Sequence, residues 1–232
     1  CDELPVTSQV PPFAFEKAFR EAMETGNQVI AITLSSKLSG TWQSACIAAE
    51  GFGGKVRVVD SENASIGQHA LVEYALRLKD AGLGIEEIVE RLEADKKRIR
   101  LIALLDTLEY LKKGGRISKA AAMAGSLLSI KPVIAIQRGE VAILGKARGS
   151  KQGNNLLAEQ IRQTGGIDFG KPFVLGYTGL SDAMLRKYIK DHESFWKSSV
   201  DALETSSVGG TIGTHIGPGA IGVAFFSAGD CI

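Results

Sequence analysis

The first 84 residues alternate between helical and strand-like hydrophobic patterns. Apolar side chains recur at helical spacing from Phe13 to Thr25, which predicts an amphipathic helix. The run Val29–Leu34 is short, apolar and rich in β-branched residues, as expected of a strand buried on both faces. A helix, a strand and a long helix are predicted next, at residues 41–50, 55–59 and 66–80. Strands and helices in this order predict a parallel sheet with crossover helices.

The pattern changes after Gly84. Arg138-Gly139 separates two strand-like runs and predicts a β-hairpin, which a purely parallel sheet would not contain. The predicted helices here are 85–97, 107–113, 117–128, 156–162 and 182–195, and the predicted strands are 99–105, 131–137, 140–146, 172–177, 208–214 and 221–226. We therefore expect a second α/β domain with a mixed sheet. The predicted domains are residues 1–84 and 85–232, with a ligand site at their interface.

Composition, net charge and cysteine spacing limit the classes of function that this chain could have. Hydrophobic residues make up 44% of the chain and charged residues 23%, and the net charge of +1 provides no overall attraction for nucleic acid or a membrane surface. No apolar run is long enough for a membrane span. The three cysteines are widely spaced, which argues against a disulfide framework or a zinc site and fits a reducing, cytoplasmic compartment. The chain opens at Cys1 without a methionine, and we expect residues before it to be missing.

Two hydroxyl-rich segments precede predicted helices. Thr7-Ser8-Gln9 lies just before Pro11-Pro12, and Ser35–Thr41 joins the end of a buried strand to a helix. Hydroxyls in these places cap helices, but the end of a strand in an open α/β sheet is also where ligands bind. Exposed N–H groups at a helix start favour an anion. The phosphate-binding GxxxxGK[ST] motif is absent, so a small anionic head group suits the loop better than a nucleotide.

Two further segments carry charge or a histidine within glycine-rich sequence. Leu105–Ser118 contains Lys112, Lys113 and Arg116, which would form either a partner surface or a solvated turn. Gly213–Gly219 places His215 among glycines that let a ligand or another backbone approach closely. No catalytic triad or other nucleophile arrangement follows from the spacing. The residues alone indicate an α/β protein with an anion-binding interface.

Taken together, these blocks resemble the DegV family, whose members include the fatty-acid-binding B subunits of bacterial fatty acid kinase. The matching blocks follow the family's order and are TSQ at 7–9, SSKLSGTWQSA at 35–45, VDS at 59–61, LDTLEYLKKGGRIS at 105–118, IKP at 130–132, KAR at 146–148 and GTHIGPG at 213–219. The resemblance implies a two-domain DegV-like fold. The first domain would be a parallel α/β/α layer structure, and the second an α/β unit with a mixed six-stranded sheet.

The resemblance also implies a function. The chain would hold a long-chain fatty acid in an apolar tunnel between the domains, with its carboxylate near Thr7, Ser39, Gly40, Arg148 and His215. A partner kinase subunit would supply the catalysis, using ATP to convert the acid to an acyl phosphate for bacterial phospholipid synthesis. No metal, cofactor, nucleic-acid partner or stable membrane insertion is expected.

Two alternatives stay open. One is a stand-alone enzyme on a small anionic substrate, with His215 as general base and Arg148 as anion clamp. The other is a lipid-responsive regulatory sensor. The chain also departs from the family in two places. Val10-Pro11-Pro12 stands where members have Pro-Ser-Pro, and the opening strand with its Asp-Ser motif is absent.

Overall fold

The computed structural model describes residues 4–24, 26–117, 130–196, 203 and 205–229. Its helices are α1 Pro12–Met23, α2 Thr41–Ala49, α3 Ser65–Asp80, α4 Ile85–Asp95, α5 Glu109–Lys113, α6 Gly149–Gln163, α7 Ala183–Asp191, α8 Glu193–Trp196 and α9 Gly210–Ile216, with 3₁₀ turns at Glu50–Phe52 and Lys96–Arg98. Its strands are β1 Val29–Thr33, β2 Val56–Asp60, β3 Ile99–Leu104, β4 Ile130–Gln137, β5 Glu140–Arg148, β6 Phe173–Tyr177, β7 Thr205–Ser207 and β8 Ile221–Phe226.

The first sheet is small and parallel. Strand β1 pairs with β2 from Val29 opposite Val56 to Thr33 opposite Asp60. Successive side chains of a strand point to opposite faces, and the apolar run of β1 therefore serves two cores. Its residues Val29 and Ala31 pack with α1 and α2, while Ile30 and Ile32 pack with α3 and α4. The continuous apolar pattern of this strand follows from contact with a core on each face, where its aliphatic residues are partly buried.

The second sheet has six strands in the order β5-β4-β3-β8-β6-β7. Strand β3 is antiparallel to β4 and β8, while β6 and β7 are parallel. This mixed sheet, together with the parallel one, confirms the predicted fold class. Ile102 and Leu104 face the core under α6 and α7, whereas Leu101 and Ala103 face the opposite side.

Helix α3 lies between the two sheets. Its residue Leu71 packs with the first sheet, and Ile66 and Ala70 belong to the core on one face of the second. Helix α3 thus contacts both the core beside the first sheet and the core on one face of the second sheet. The domain boundary at residue 84 remains a prediction.

Residues 208–214 differ from the prediction. The predicted strand is wrong, because β7 ends at Ser207 and α9 runs from Gly210 to Ile216. Glycine and β-branched residues have weak helix propensity, and tertiary packing overrides it here by placing Ile212 and Ile216 against a cavity. Strand β7 was not predicted, and the predicted helix 182–195 is divided into α7 and α8. The predicted helical residues 156–162 lie within α6, which begins at Gly149. Residues 118–128 of the predicted helix 117–128 lie outside the described residues.

Candidate ligand-binding site

A cavity of about 250 Å³ lies between α3, the inner face of the six-stranded sheet, α9 and the extended segment before α1. Its wall is mainly aliphatic. The apolar lining includes Leu34, Leu38, Ile66, Leu101, Ala103, Leu105, Leu111, Ile134, Ile136, Val141, Val208, Ile212, Ile216 and Ile221. Such a space suits a hydrocarbon chain, because burying apolar surface is favourable and no polar group of the ligand is left unpaired along it.

Polar side chains from four distant segments meet in the same cavity wall. Thr7, Ser39, Arg116 and His215 all line it. The Oγ1 atom of Thr7 lies 2.8 Å from Nε2 of His215, although the two residues are 208 positions apart in sequence. The Ser39 hydroxyl lies 2.9 Å from that of Thr41. The structure thus brings together three of the five sequence-predicted head-group residues.

The imidazole of His215 sits tightly against Gly114. A Cβ atom at position 114 would lie 2.3 Å from the Nδ1 atom of His215, so only glycine leaves room for the ring. Within the described part of the chain, this buried Nδ1 atom has no hydrogen-bond partner. With the proton on Nε2, that N–H donates to the Thr7 hydroxyl and only the acceptor lone pair of Nδ1 lacks a partner. With the proton on Nδ1, a buried N–H would lack an acceptor, which costs more. Thr7 in turn keeps its own proton for a ligand oxygen.

Burial, followed by the positive charge of Arg116, lowers the pKa of His215 below its ordinary value. The ring is therefore neutral at pH 7. Because the unfolded chain binds a proton more readily, the free energy of unfolding should fall as the pH drops below about 6.5. We expect His215→Gln to remove this component, so that unfolding free energies at pH 7.5 and pH 5 differ less in the variant. A difference in unfolding free energy between the wild type and His215→Gln that stays the same at both pH values would contradict the lowered pKa of His215.

The turn after His215 is held by one buried hydroxyl. The side chain of Thr178 is 3% exposed. Its Oγ1 donates to the carbonyl of Gly217 at 2.7 Å and accepts from the N–H of Ala220 at 2.9 Å. Gly217 has φ of +73°, and a Cβ there would lie 2.4 Å from the ring of Tyr110. Glycine is thus required at this position on both counts.

Arg116 occupies a different environment from its lysine neighbours. We predicted it with Lys112 and Lys113 as a partner surface, but its side chain lines the cavity. Its Nε donates to the carbonyl of Leu38 at 3.2 Å and its Nη1 to that of Gly114 at 2.7 Å. Lys112 and Lys113 are exposed and lie outside the cavity lining. Sequence reasoning did not place Arg116 at the cavity, although the preceding glycines indicated a turn that redirects the chain.

Gly40 and Arg148 do not line the cavity. Gly40 precedes α2, and a Cβ there would lie 2.0 Å from Oε1 of Gln9, so glycine leaves room for the Gln9 side chain. Arg148 is exposed at the end of β5, where its backbone N–H donates to Gln152. A role for either residue at the head group remains a prediction.

The hydroxyl-rich loop is fixed to both sheets. The Ser35 hydroxyl donates to the carbonyl of Gly139, in the β4–β5 turn, at 2.8 Å. The backbone N–H of Ser36 donates to the carboxylate of Asp60 at the end of β2. These contacts fix the loop that carries Ser39, which lines the cavity.

Two negative findings concern the described ranges alone. No group of three or more histidine, cysteine, aspartate or glutamate side chains there could hold a metal ion. Among the same residues, no helix has the length and apolar character needed to cross a membrane.

Comparison with known proteins matches this chain to the same family by a family model and by an individual relative. A family model described as an uncharacterised protein of the DegV family matches residues 1–228. A DegV domain-containing protein of Caldanaerobacter subterraneus subsp. tengcongensis is 34% identical over 226 residues, covering 96% of this chain and 79% of the relative.

Two solved structures are also similar. A fatty-acid-binding DegV family protein from Thermus thermophilus superposes with a TM-score of 0.84 at 32% identity, over 96% of this chain and 79% of the other. A stearic-acid-binding protein from Eubacterium ventriosum superposes with a TM-score of 0.80 at 25% identity, over 95% and 78%.

Proposed function

The chain belongs to the DegV family, and from that premise we propose that it binds a long-chain fatty acid in this cavity. The observation that carries the proposal is a mainly aliphatic cavity with Thr7, Ser39, Arg116 and His215 in its wall. That combination matches a ligand with one anionic end and a long apolar tail. The similar proteins from Thermus thermophilus and Eubacterium ventriosum, which bind fatty acid and stearic acid respectively, support it.

The tail provides most of the binding free energy in this proposal. Burying a methylene group contributes about 0.8 kcal/mol, so roughly fifteen methylenes contribute on the order of 12 kcal/mol before ordering costs. A buried carboxylate without partners would cancel much of this gain. The head-group residues therefore orient the acid and offset its desolvation.

Each head-group residue has a separate role in the proposal. Arg116 compensates the negative charge of the carboxylate, and hydroxyl groups of Thr7 and Ser39 donate to its oxygens. Neutral His215 donates to Thr7 and so leaves the Thr7 proton directed at the ligand. The backbone N–H of Gly40, at the start of α2, would add a donor, and Arg148 would assist from outside the cavity.

We also propose that the bound acid is presented to a partner kinase subunit, which would phosphorylate it with ATP to an acyl phosphate. Catalysis would then reside in the partner, and this chain would be a binding subunit without enzymatic activity of its own. The exposure of Lys112 and Lys113, which precede the cavity residue Arg116 by a few positions, supports a protein contact at this site. The stand-alone enzyme has less support, because its proposed anion clamp, Arg148, does not line the cavity with His215.

The decisive experiment is native mass spectrometry of the purified protein, followed by denaturation and identification of any released small molecule. We expect a long-chain fatty acid at up to one molecule per chain. Delipidated protein should take the acid up again from an added solution. A protein that is empty on purification and fails to bind added fatty acid would overturn the proposal.

A further inference from the structure

Two glycines face each other in the cavity wall. Gly176 of β6 and Gly222 of β8 are partners in the antiparallel register, and both line the cavity. Neither is among the glycines with a positive φ, so the backbone at both positions would accept any L-residue. Backbone conformation therefore does not explain the glycines. The glycines are explained by the side chain that occupies the space where their Cβ atoms would lie.

The side chain of Ile66 occupies that space. A Cβ atom at position 176 would lie 2.8 Å from Cγ2 of Ile66, and one at position 222 would lie 3.3 Å from its Cδ1. Ile66 is 6% exposed and lines the cavity from the first turn of α3. Its β-branched side chain has restricted χ1 freedom, and it packs directly against the backbone of the two glycines. Ile66 is thus a fixed part of the wall.

This cluster lies away from the head-group residues. Val208 also adjoins it, since its Cγ2 would be 3.3 Å from a Cβ atom at Gly176. Val208 lies just before α9, which begins at Gly210, whereas His215 lies in the last turn of that helix. The five residue steps from Gly210 to His215, at a helical rise of 1.5 Å each, separate the two ends by about 7.5 Å. The cluster therefore belongs to the part of the cavity that would hold the acyl chain.

We infer that Ile66, seated on Gly176 and Gly222, limits the length of the acyl chain that the cavity accepts. This inference rests on the proposed fatty-acid binding and adds a residue that determines specificity. In this inference, an acyl chain that extends from the head group along α9 would end against the Ile66 side chain. Truncating Ile66 to alanine would join the space above the glycines to the cavity.

The test is competition among fatty acids for the delipidated protein. An equimolar mixture of laurate, myristate, palmitate, stearate and arachidate is added, and native mass spectrometry reports which acid is bound. Ile66→Ala should shift the preferred acid at least one member along this series towards longer chains. Gly176→Ala should shift it towards shorter chains, because the added methyl group pushes Ile66 into the cavity. The double variant should return towards the wild-type preference, because alanine at 66 leaves room for the methyl group at 176.

Ile102→Ala is the matched control. Ile102 is 1% exposed on the opposite face of the same sheet, so its truncation costs stability without enlarging this cavity. It should leave the preference unchanged, and Ile66→Val offers a milder truncation should Ile66→Ala not fold. An unchanged preference in the Ile66 variants, or an equal shift in Ile102→Ala, would overturn the inference while fatty-acid binding stands. A wild-type protein that binds none of the acids would overturn both.

Discussion

Replacing Arg116 with methionine is expected to weaken fatty-acid binding by roughly 10- to 100-fold. Hydrogen bonds to a charged group are worth about 1.5–3 kcal/mol, and each 1.4 kcal/mol is a factor of about ten in affinity. The guanidinium group lines a mainly aliphatic cavity, where an uncompensated carboxylate would be poorly solvated. Titration of delipidated protein with stearate, followed by isothermal calorimetry, measures the change.

Two controls separate charge compensation from structural damage, because Arg116 also donates to the carbonyls of Leu38 and Gly114. Lys112→Met removes an exposed cation from the same region and should leave the affinity unchanged. Stearyl alcohol carries the same tail without the negative charge, so its affinity should differ little between wild type and Arg116→Met. Equal losses for stearate and the alcohol would instead mean that Arg116 acts only through the fold.

Thr178→Val is expected to lower the free energy of unfolding by roughly 2–6 kcal/mol. Valine has nearly the shape of threonine but leaves the Gly217 carbonyl and the Ala220 N–H without their partner. A buried group that loses its partner costs about 1–3 kcal/mol, and two are affected here. Urea unfolding, followed by circular dichroism, gives the change directly.

Thr178→Ser is the conservative counterpart. It keeps the hydroxyl and loses one methyl group, so most of the stability should return. The turn held by Thr178 also positions His215, and the valine variant should therefore bind fatty acid more weakly even where it is fully folded. Equal stability of the valine and serine variants would show that the hydroxyl does not hold the turn.

The hydrophobic pattern predicted most of the architecture, because strands buried on both faces and amphipathic helices leave distinct periodicities. The run Val29–Leu34 predicted strand β1, and Arg138-Gly139 predicted the antiparallel β4–β5 hairpin of the second sheet. The same method failed at residues 208–214. Glycine and β-branched residues suggest a strand locally, whereas contacts of Ile212 and Ile216 with the rest of the molecule decide in favour of α9.

The candidate site was less completely predictable. Motif resemblance identified Thr7, Ser39 and His215, and the structure brings all three to one cavity. Arg116 was assigned to the surface with its lysine neighbours, since a short charged stretch does not reveal which side chain turns inward. Gly176, Gly222 and Thr178 stood in ordinary strand-like sequence and carried no motif.

The sequence by itself determined the α/β class, the mixed second sheet and the family, because periodicity and ordered motifs are properties of the chain alone. Only the tertiary structure decided which polar groups share a cavity and which aliphatic residues close it. The reason is physical: residues 7, 116 and 215 meet only after distant segments pack, and packing depends on distances that no local pattern encodes. The chemistry of the site was therefore present in the sequence, but its assembly was decided by the fold.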